Sequence, residues 1–187
     1  KKAMTQIFME VHMGRFTTMT ILLFAMVVIT KTANAQLPHP PDLQYPIEKG
    51  DWKVTTKIGG SDTHDKRDHY SIDIAGEGVK IKGKSVLAAA KGTVIEVNNT
   101  NPNHPNGYFV RIQHENGYQT VYAHLDSVDP QIVGPQIKEG VRIEGVRIEK
   151  PGIILGKVGN TGDPKYTTGT HLHFGLKHCQ EPPCTSK

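Results

Sequence analysis

Short apolar segments, each broken by turn-forming residues, constrain this chain more than any other feature. Between them stand Gly, Pro and Asn, and Gly and Pro together make up 31 of the 187 residues. After the N-terminal segment no long amphipathic helical pattern occurs, so the spacing predicts one all-β domain. The Asn116-Gly117 pair between two alternating segments predicts a hairpin. The predicted strands cover residues 85–90, 93–98, 108–113, 118–124, 153–158 and 171–177.

The first 35 residues read as a targeting signal. Arg15 provides a basic start, residues 19–30 form a nearly continuous apolar run, and Ala33-Asn34-Ala35 has the small residues that a signal peptidase reads. We expect cleavage before Gln36 and treat residues 1–12 as upstream of the true start. The alternative, an uncleaved anchor, would need roughly 18–20 apolar residues. A proline-rich lead-in over residues 36–49 and a domain over 50–187 follow.

Charge and cysteine usage fit an exported protein. Four of the 22 basic and one of the 18 acidic residues precede Gln36, which leaves a nearly neutral mature chain. This balance gives no support for nucleic acid binding or a stable membrane anchor. Cys179 and Cys184, separated by a short loop, are expected to form a disulfide. A second metal site that includes His178 is the alternative.

Four histidines and one aspartate are the candidate metal-binding and catalytic residues. On strands, His69 would share a face with Asp73, and His171 with His173, while Leu172 and Phe174 would face the core. The same alternation would put Tyr122 and His124 on one face, opposite Ala123 and Leu125. A His, Asp, His set suits zinc, and three protein ligands leave a fourth position open for water, as in catalytic sites. Two further imidazoles could accept a proton and stabilise an oxyanion.

Five motifs extend this pattern along residues 50–177. They are His69-x-x-x-Asp73-Ile74-Ala75, Ala88-Ala89-Ala90-x-Gly92-x-Val94, Val121-Tyr122-Ala123-His124-Leu125, Gly156-x-Val158-Gly159-Asn160-Thr161-Gly162 and Thr168-Gly169-Thr170-His171-Leu172-His173-Phe174. In this order they resemble the lysostaphin-type (LytM-like) zinc metallopeptidases, which cut peptide bonds in bacterial peptidoglycan. The resemblance implies one zinc ion per chain held by His69, Asp73 and His173. It also implies that His124 and His171 are catalytic, and that a substrate groove crosses a mostly antiparallel, barrel-like hybrid sheet.

Two positions depart from the family pattern. Ser71 stands where the family usually has Gly between the first ligand and the aspartate. Many relatives also have a Tyr a few residues before the first ligand, whereas residues 61–68 contain His64 and no Tyr.

The function we expect is a secreted or periplasmic zinc endopeptidase that acts on peptidoglycan stem peptides or cross-bridges. The alternatives are a non-enzymatic LytM-like regulator of other cell-wall hydrolases and a carrier or phosphoryl-transfer domain of the related hybrid-barrel type. The retained ligands and catalytic histidines count against the regulator, and export counts against the carrier. The loop over residues 98–107 is expected to influence which bond is cut.

Overall fold

The computed structural model describes residues 38–60, 64, 68–76, 80–133, 145–165, 167 and 169–179. Apart from Pro38, these belong to one compact unit that begins at His39. The predicted signal segment and Cys184 lie outside the described residues, so export, signal cleavage and the disulfide stay predictions. Within the described ranges, no helix has the length and apolar character needed to cross a bilayer.

In the part of the chain that the structure describes, the regular structure consists of nine strands and one short 3₁₀ turn, Glu115–Gly117. The strands are β1 (Lys53–Thr56), β2 (Ser71–Ala75), β3 (Ser85–Leu87), β4 (Gly92–Asn98), β5 (Tyr108–Gln113), β6 (Tyr118–Val128), β7 (Arg147–Ile148), β8 (Ile154–Val158) and β9 (Leu172–His178). All described pairings are antiparallel, in the order β1-β2-β9-β6-β5-β4-β7, with β8 joining β6 to β3. The predicted all-β, mostly antiparallel fold class is confirmed, as a sheet that does not close into a barrel.

Strand β6 changes partner along its length. Residues Tyr118 to Ala123 pair with β9, whereas Leu125 to Val128 pair with β8. On its other edge β6 pairs with β5, and there Ala123 and His124 together stand opposite Phe109 alone. This two-against-one arrangement is a β-bulge, which bends a strand and redirects its side chains. The bulge therefore lies at the point along β6 where its pairing changes from β9 to β8.

The main core lies on one face of the sheet. Alternate residues of the central strands point into it, because successive side chains of a strand face opposite ways. Its fully buried members include Ile74, Val94, Val110, Ile112, Tyr122, Leu125, Leu155, Val158 and Leu172. A smaller cluster of Phe109, Val121 and Ala123 lies on the other face. Ala123 is the register partner of His173, so this second cluster adjoins the predicted site.

The described part of the proline-rich lead-in, residues 38–49, has no helix or strand, and its end joins the core. The backbone N–H of Gln44 donates to the Ala89 carbonyl, and the N–H of Leu87 donates to the Pro46 carbonyl. Ile47 forms an isolated antiparallel bridge with Val86 and is 2% exposed. The end of the lead-in therefore contributes Ile47 to the domain's core.

Candidate metal centre and active site

Strand pairing brings Asp73 and His173 together. They are register partners in the β2–β9 ladder, and His173 Nδ1 lies 3.0 Å from Asp73 Oδ1. Burial alone would raise the pKa of Asp73. The hydrogen bond from His173 and the charges of His173 and His171 outweigh it and hold that pKa well below its usual range. Asp73 is therefore a carboxylate at neutral pH.

His64 is the third group at this position. Its Nε2 lies 3.3 Å from Asp73 Oδ1, its ring centroid is 5.2 Å from that of His173, and the residue is 3% exposed. Its Nδ1 lies 3.3 Å from the Lys57 carbonyl, which can only accept a hydrogen bond, so Nδ1 carries the proton. Nε2 then offers a lone pair and has no hydrogen-bond partner, although it is buried. Two electron-rich atoms, Nε2 and Oδ1, thus face each other, an arrangement that a cation would stabilise.

His69 is not brought to this group. Strand β2 begins only at Ser71, because residues 68–71 form a turn in which the Ser71 N–H donates to the Asp68 carbonyl. The strand alternation that would have turned His69 toward Asp73 therefore does not extend to it. His69 is exposed, its ring packs edge-on against Tyr70, and its carbonyl accepts from the Gly59 N–H. For the same reason the neighbouring Tyr70 is not buried against the sheet but 65% exposed.

His124 reaches the site through an unusual backbone conformation. Its φ is +62°, in the left-handed region that residues other than Gly, Asn and Asp seldom adopt. The prediction that Tyr122 and His124 share a face is wrong. Tyr122 and Leu125 are both in the main core, and the bulge turns His124 to the opposite side. There its ring centroid lies 4.8 Å from that of His171 and 5.8 Å from that of His173.

His171 lies at the start of β9, beside the group. Its Nδ1 lies 2.7 Å from the Gly169 carbonyl, and its Nε2 lies 3.8 Å from Asp73 Oδ1. As predicted, Leu172 and Phe174 are core residues, so His171 and His173 lie on the opposite face. The Nδ1 of His124 likewise lies 2.9 Å from the Thr161 carbonyl. His64, His124 and His171 therefore share one pattern, in which a backbone carbonyl holds the Nδ1 proton and leaves the Nε2 lone pair free.

Burial keeps His124 neutral. It lowers the pKa of His124 to about 4, helped by the charge of the neighbouring His171. At pH 7 the His124 ring is therefore an uncharged imidazole with a free Nε2, which is the form that can accept a proton.

The donor set fits a zinc ion. The ligand atoms of His64, Asp73 and His173 all lie within 4.8 Å of one another. Ligands at zinc distances of about 2.0–2.1 Å in a tetrahedron are about 3.4 Å apart, close to the separations of 3.0 and 3.3 Å from Asp73 Oδ1. For His173 Nδ1 to be a ligand, the ion would displace the proton that this atom shares with Asp73. Two imidazoles and a carboxylate, with the unpartnered Nε2 of His64 among them, are a set that zinc prefers.

Among the expected residues, the structure brings together Asp73, His124, His171 and His173. It adds His64, which sequence reasoning noted only as a histidine in a segment without Tyr. The signal that could have found it is its position before the turn that starts β2, because such a segment can fold back over a strand.

Ser71 is fully buried on the face of Asp73, where it pairs with Gly175 in the β2–β9 ladder. A Cβ on Gly175 would lie 2.6 Å from Ser71 Oγ, so the serine hydroxyl occupies space beside the site that the glycine leaves open.

Solved structures share this fold. A zinc-containing peptidase from Vibrio cholerae is 26% identical with a TM-score of 0.51, over 74% of this chain and 37% of that one. A variant of the catalytic domain of the prophage-encoded M23 protein EnpA from Enterococcus faecalis is 22% identical with a TM-score of 0.51, over 74% and 88%. A chain of the SpoIIIAH and SpoIIQ complex is 24% identical with a TM-score of 0.51, over 73% and 92%. This chain thus spans only about a third of the Vibrio cholerae peptidase's length. Comparison with curated protein sequences gives no significant match.

The sequence itself matches a peptidase family over most of the folded unit. The match covers residues 67–183, which include all five site residues predicted from the sequence: His69, Asp73, His124, His171 and His173. His64 lies three residues before the matched region. The predicted resemblance to LytM-like peptidases is confirmed, and the chain belongs to peptidase family M23.

Proposed function

We propose that this chain is a zinc-dependent endopeptidase that hydrolyses peptide bonds in bacterial peptidoglycan. The observation that carries the proposal is the buried, unpartnered Nε2 of His64 beside the Asp73 carboxylate and His173, with two further imidazoles adjacent. Membership of a peptidase family and the fold shared with a zinc-containing peptidase support it.

In this proposal His64, Asp73 and His173 hold the metal ion. When bound, zinc polarises the scissile carbonyl as a Lewis acid and lowers the pKa of a water molecule to around 7. Asp73, ionised at neutral pH, offsets the charge of the cation. His64 replaces His69 in the ligand set that the resemblance implies.

The two remaining imidazoles divide the proton transfers. His124 is neutral and presents a free Nε2, so it can accept a proton from the attacking water. His171 lies 4.8 Å away between ring centroids and is oriented by the Gly169 carbonyl. After taking up a proton at Nε2, it can donate to the oxyanion and then to the leaving amine, and it recovers a proton from the neighbouring His124, which returns both rings to their starting state. The buried cluster of Phe109, Val121 and Ala123 lies next to these groups in the sheet.

We further propose that the protein acts outside the cytoplasm, where peptidoglycan lies. The basic start, apolar run and small residues before Gln36 support export. A neutral mature chain fits a peptide substrate better than a nucleic acid.

The test is digestion of purified peptidoglycan by the zinc-loaded mature protein, with mass spectrometry of the released fragments. Labelling of newly formed amino groups identifies the bond, so cleavage at D-alanyl cross-links and at glycine bridges gives different labelled residues. We expect new amino termini that disappear with a chelator and return with zinc. Zinc-loaded protein that binds peptidoglycan without releasing any new amino terminus would instead support the regulator.

A further inference from the structure

Thr161 connects the two sides of the bulge at His124. Its hydroxyl donates to the Leu125 carbonyl at 2.6 Å and accepts from the Tyr108 N–H at 2.8 Å. Its carbonyl lies 2.9 Å from His124 Nδ1. One residue of the β8–β9 connection is therefore bound to the imidazole of His124 and to the backbone of the residue that follows it.

The surroundings of Thr161 are shaped around these contacts. A Cβ on Gly107 would lie 2.3 Å from both Thr161 O and Thr161 Oγ1, so only glycine allows the close approach. A Cβ on Gly162, where φ is +133°, would lie 2.9 Å from His124 Nδ1. The N–H of His124 donates to the Asn106 carbonyl at 2.9 Å. The strained backbone of His124 is thus held from several directions.

We propose that the Thr161 side chain is a positioning element for His124. By fixing its own carbonyl against β6, the hydroxyl holds the His124 imidazole as the Nδ1–H tautomer with Nε2 free. Because the carbonyl accepts only, this contact excludes the opposite tautomer, in which Nε2 would carry the proton and could not accept one. The catalytic consequence depends on the proposed function, whereas the tautomer and ring orientation do not.

Thr167 is the competing anchor. Its Oγ1 lies 3.2 Å from the same Nδ1, farther than the Thr161 carbonyl. No other bond of its hydroxyl is seen within the described residues. Thr161 has the shorter contact and two further hydrogen bonds that fix its place, so it should dominate.

Substitution by valine and serine separates the hydroxyl from the shape of the side chain. Thr161→Val keeps the branched side chain and removes both hydroxyl bonds, whereas Thr161→Ser keeps the hydroxyl. Thr120→Val is the matched control, because Thr120 is a buried threonine whose hydroxyl likewise makes two bonds, to His114 Nε2 and the Tyr122 hydroxyl, on the core side. All variants are assayed as zinc-loaded protein below their unfolding transitions.

Two readouts decide the proposal. In ¹⁵N NMR of the histidine side chains at pH 7, wild type, Thr161→Ser and Thr120→Val should show His124 as a single Nδ1–H tautomer, and Thr161→Val should show a mixture. With peptidoglycan as substrate, Thr161→Val should lower kcat by about 10- to 100-fold, with KM and zinc content little changed. Thr161→Ser, which keeps the hydroxyl, should retain most of the wild-type kcat.

An unchanged His124 tautomer in Thr161→Val, or a larger change in Thr167→Val, overturns the proposal. An equal loss of kcat in Thr120→Val would also overturn it, because the effect would then be general destabilisation. If the wild type has no peptidase activity, the NMR comparison still decides the positioning role, while the proposed function fails separately.

Discussion

Asp73 and His173 are direct partners across the β2–β9 ladder, with Oδ1 and Nδ1 3.0 Å apart although 100 residues separate them in sequence. Sheet register alone sets this contact, and any slip by one residue would turn one side chain to the core face. His64, in contrast, reaches the pair from a segment outside the strands. The two proposed ligands from the sheet and the one from the preceding segment can therefore be tested independently.

His64→Ala should lose most of the bound zinc, because it removes one of three protein ligands. His69→Ala is the matched control from the same stretch of chain, and it should retain about one zinc per chain, since His69 is exposed and packs on Tyr70. Elemental analysis of both purified variants gives the stoichiometry. Zinc loss in His69→Ala with retention in His64→Ala would restore the ligand set of the H-x-x-x-D motif.

His171 and His173 should separate metal binding from catalysis. His173→Ala and Asp73→Ala are expected to lose both zinc and activity. His171→Ala and His124→Ala should keep zinc but lose activity by about 10²- to 10⁴-fold, the usual contribution of a general acid or base. Zinc per chain and peptidoglycan hydrolysis are measured for all four. The assigned roles are reversed if His171→Ala is the variant that loses zinc.

Ser71 and Gly175 should be energetically coupled. Gly175→Ala places a Cβ 2.6 Å from Ser71 Oγ, and we expect it to lower the free energy of unfolding by about 1–3 kcal/mol. In a chain that also has Ser71→Gly, the same substitution should cost at least about 1 kcal/mol less. Urea unfolding of the two single variants, the double variant and the wild type measures the coupling. If the changes in the free energy of unfolding of the two single variants add up to that of the double variant, the two residues do not crowd each other.

His114 should make the fold sensitive to acid. It is buried, with Nδ1 2.7 Å from the Lys91 carbonyl and Nε2 2.8 Å from Thr120 Oγ1, and burial lowers its pKa despite the Lys91 contact. The unfolded chain takes up a proton near pH 6.5 and the native state does so only at lower pH. Stability should therefore fall as the pH drops below about 6.5.

The matched variant is His114→Phe, which does not titrate. At pH 7 it should be less stable by about 1–3 kcal/mol, because it leaves the partners of His114 unpaired. Its stability should fall less than that of wild type between pH 7 and 5, so the difference between the two narrows on acidification. Urea unfolding at several pH values measures the free energy of unfolding of both proteins. If the two free energies change with pH in parallel, His114 does not contribute to the acid sensitivity.

Export should leave Gln36 as the first residue. The basic start, the apolar run and Ala33-Asn34-Ala35 stand in processing order. The intact mass of the protein recovered from the exported fraction reports the cleavage site. A mass that includes residues 19–30 would mean that the segment is an anchor.

Much of this fold could be predicted from sequence because alternation is a local signal. Strands β5, β6 and β9 follow alternating segments closely, and Leu172 and Phe174 lie in the core as predicted. The failures occur where alternation stops. The turn before Ser71 removes His69 from the strand face, and the bulge at His124 reverses its direction. The bulge depends on bonds to residues distant in sequence, from the His124 N–H to the Asn106 carbonyl and from its Nδ1 to the Thr161 carbonyl. The bond between the His69 carbonyl and the Gly59 N–H likewise joins residues that no alternation pattern relates.

The exchange of partners along β6 has a consequence for how the protein matures. His124 acquires its anchor only when the β8–β9 connection has docked, and β9 brings His171 and His173 last in the order of synthesis. Such long-range pairings form slowly compared with local ones. A nascent chain released before β9 pairs with β6 and β2 therefore has neither a complete ligand set nor an oriented imidazole. Completion of the proposed site is thus tied to completion of folding.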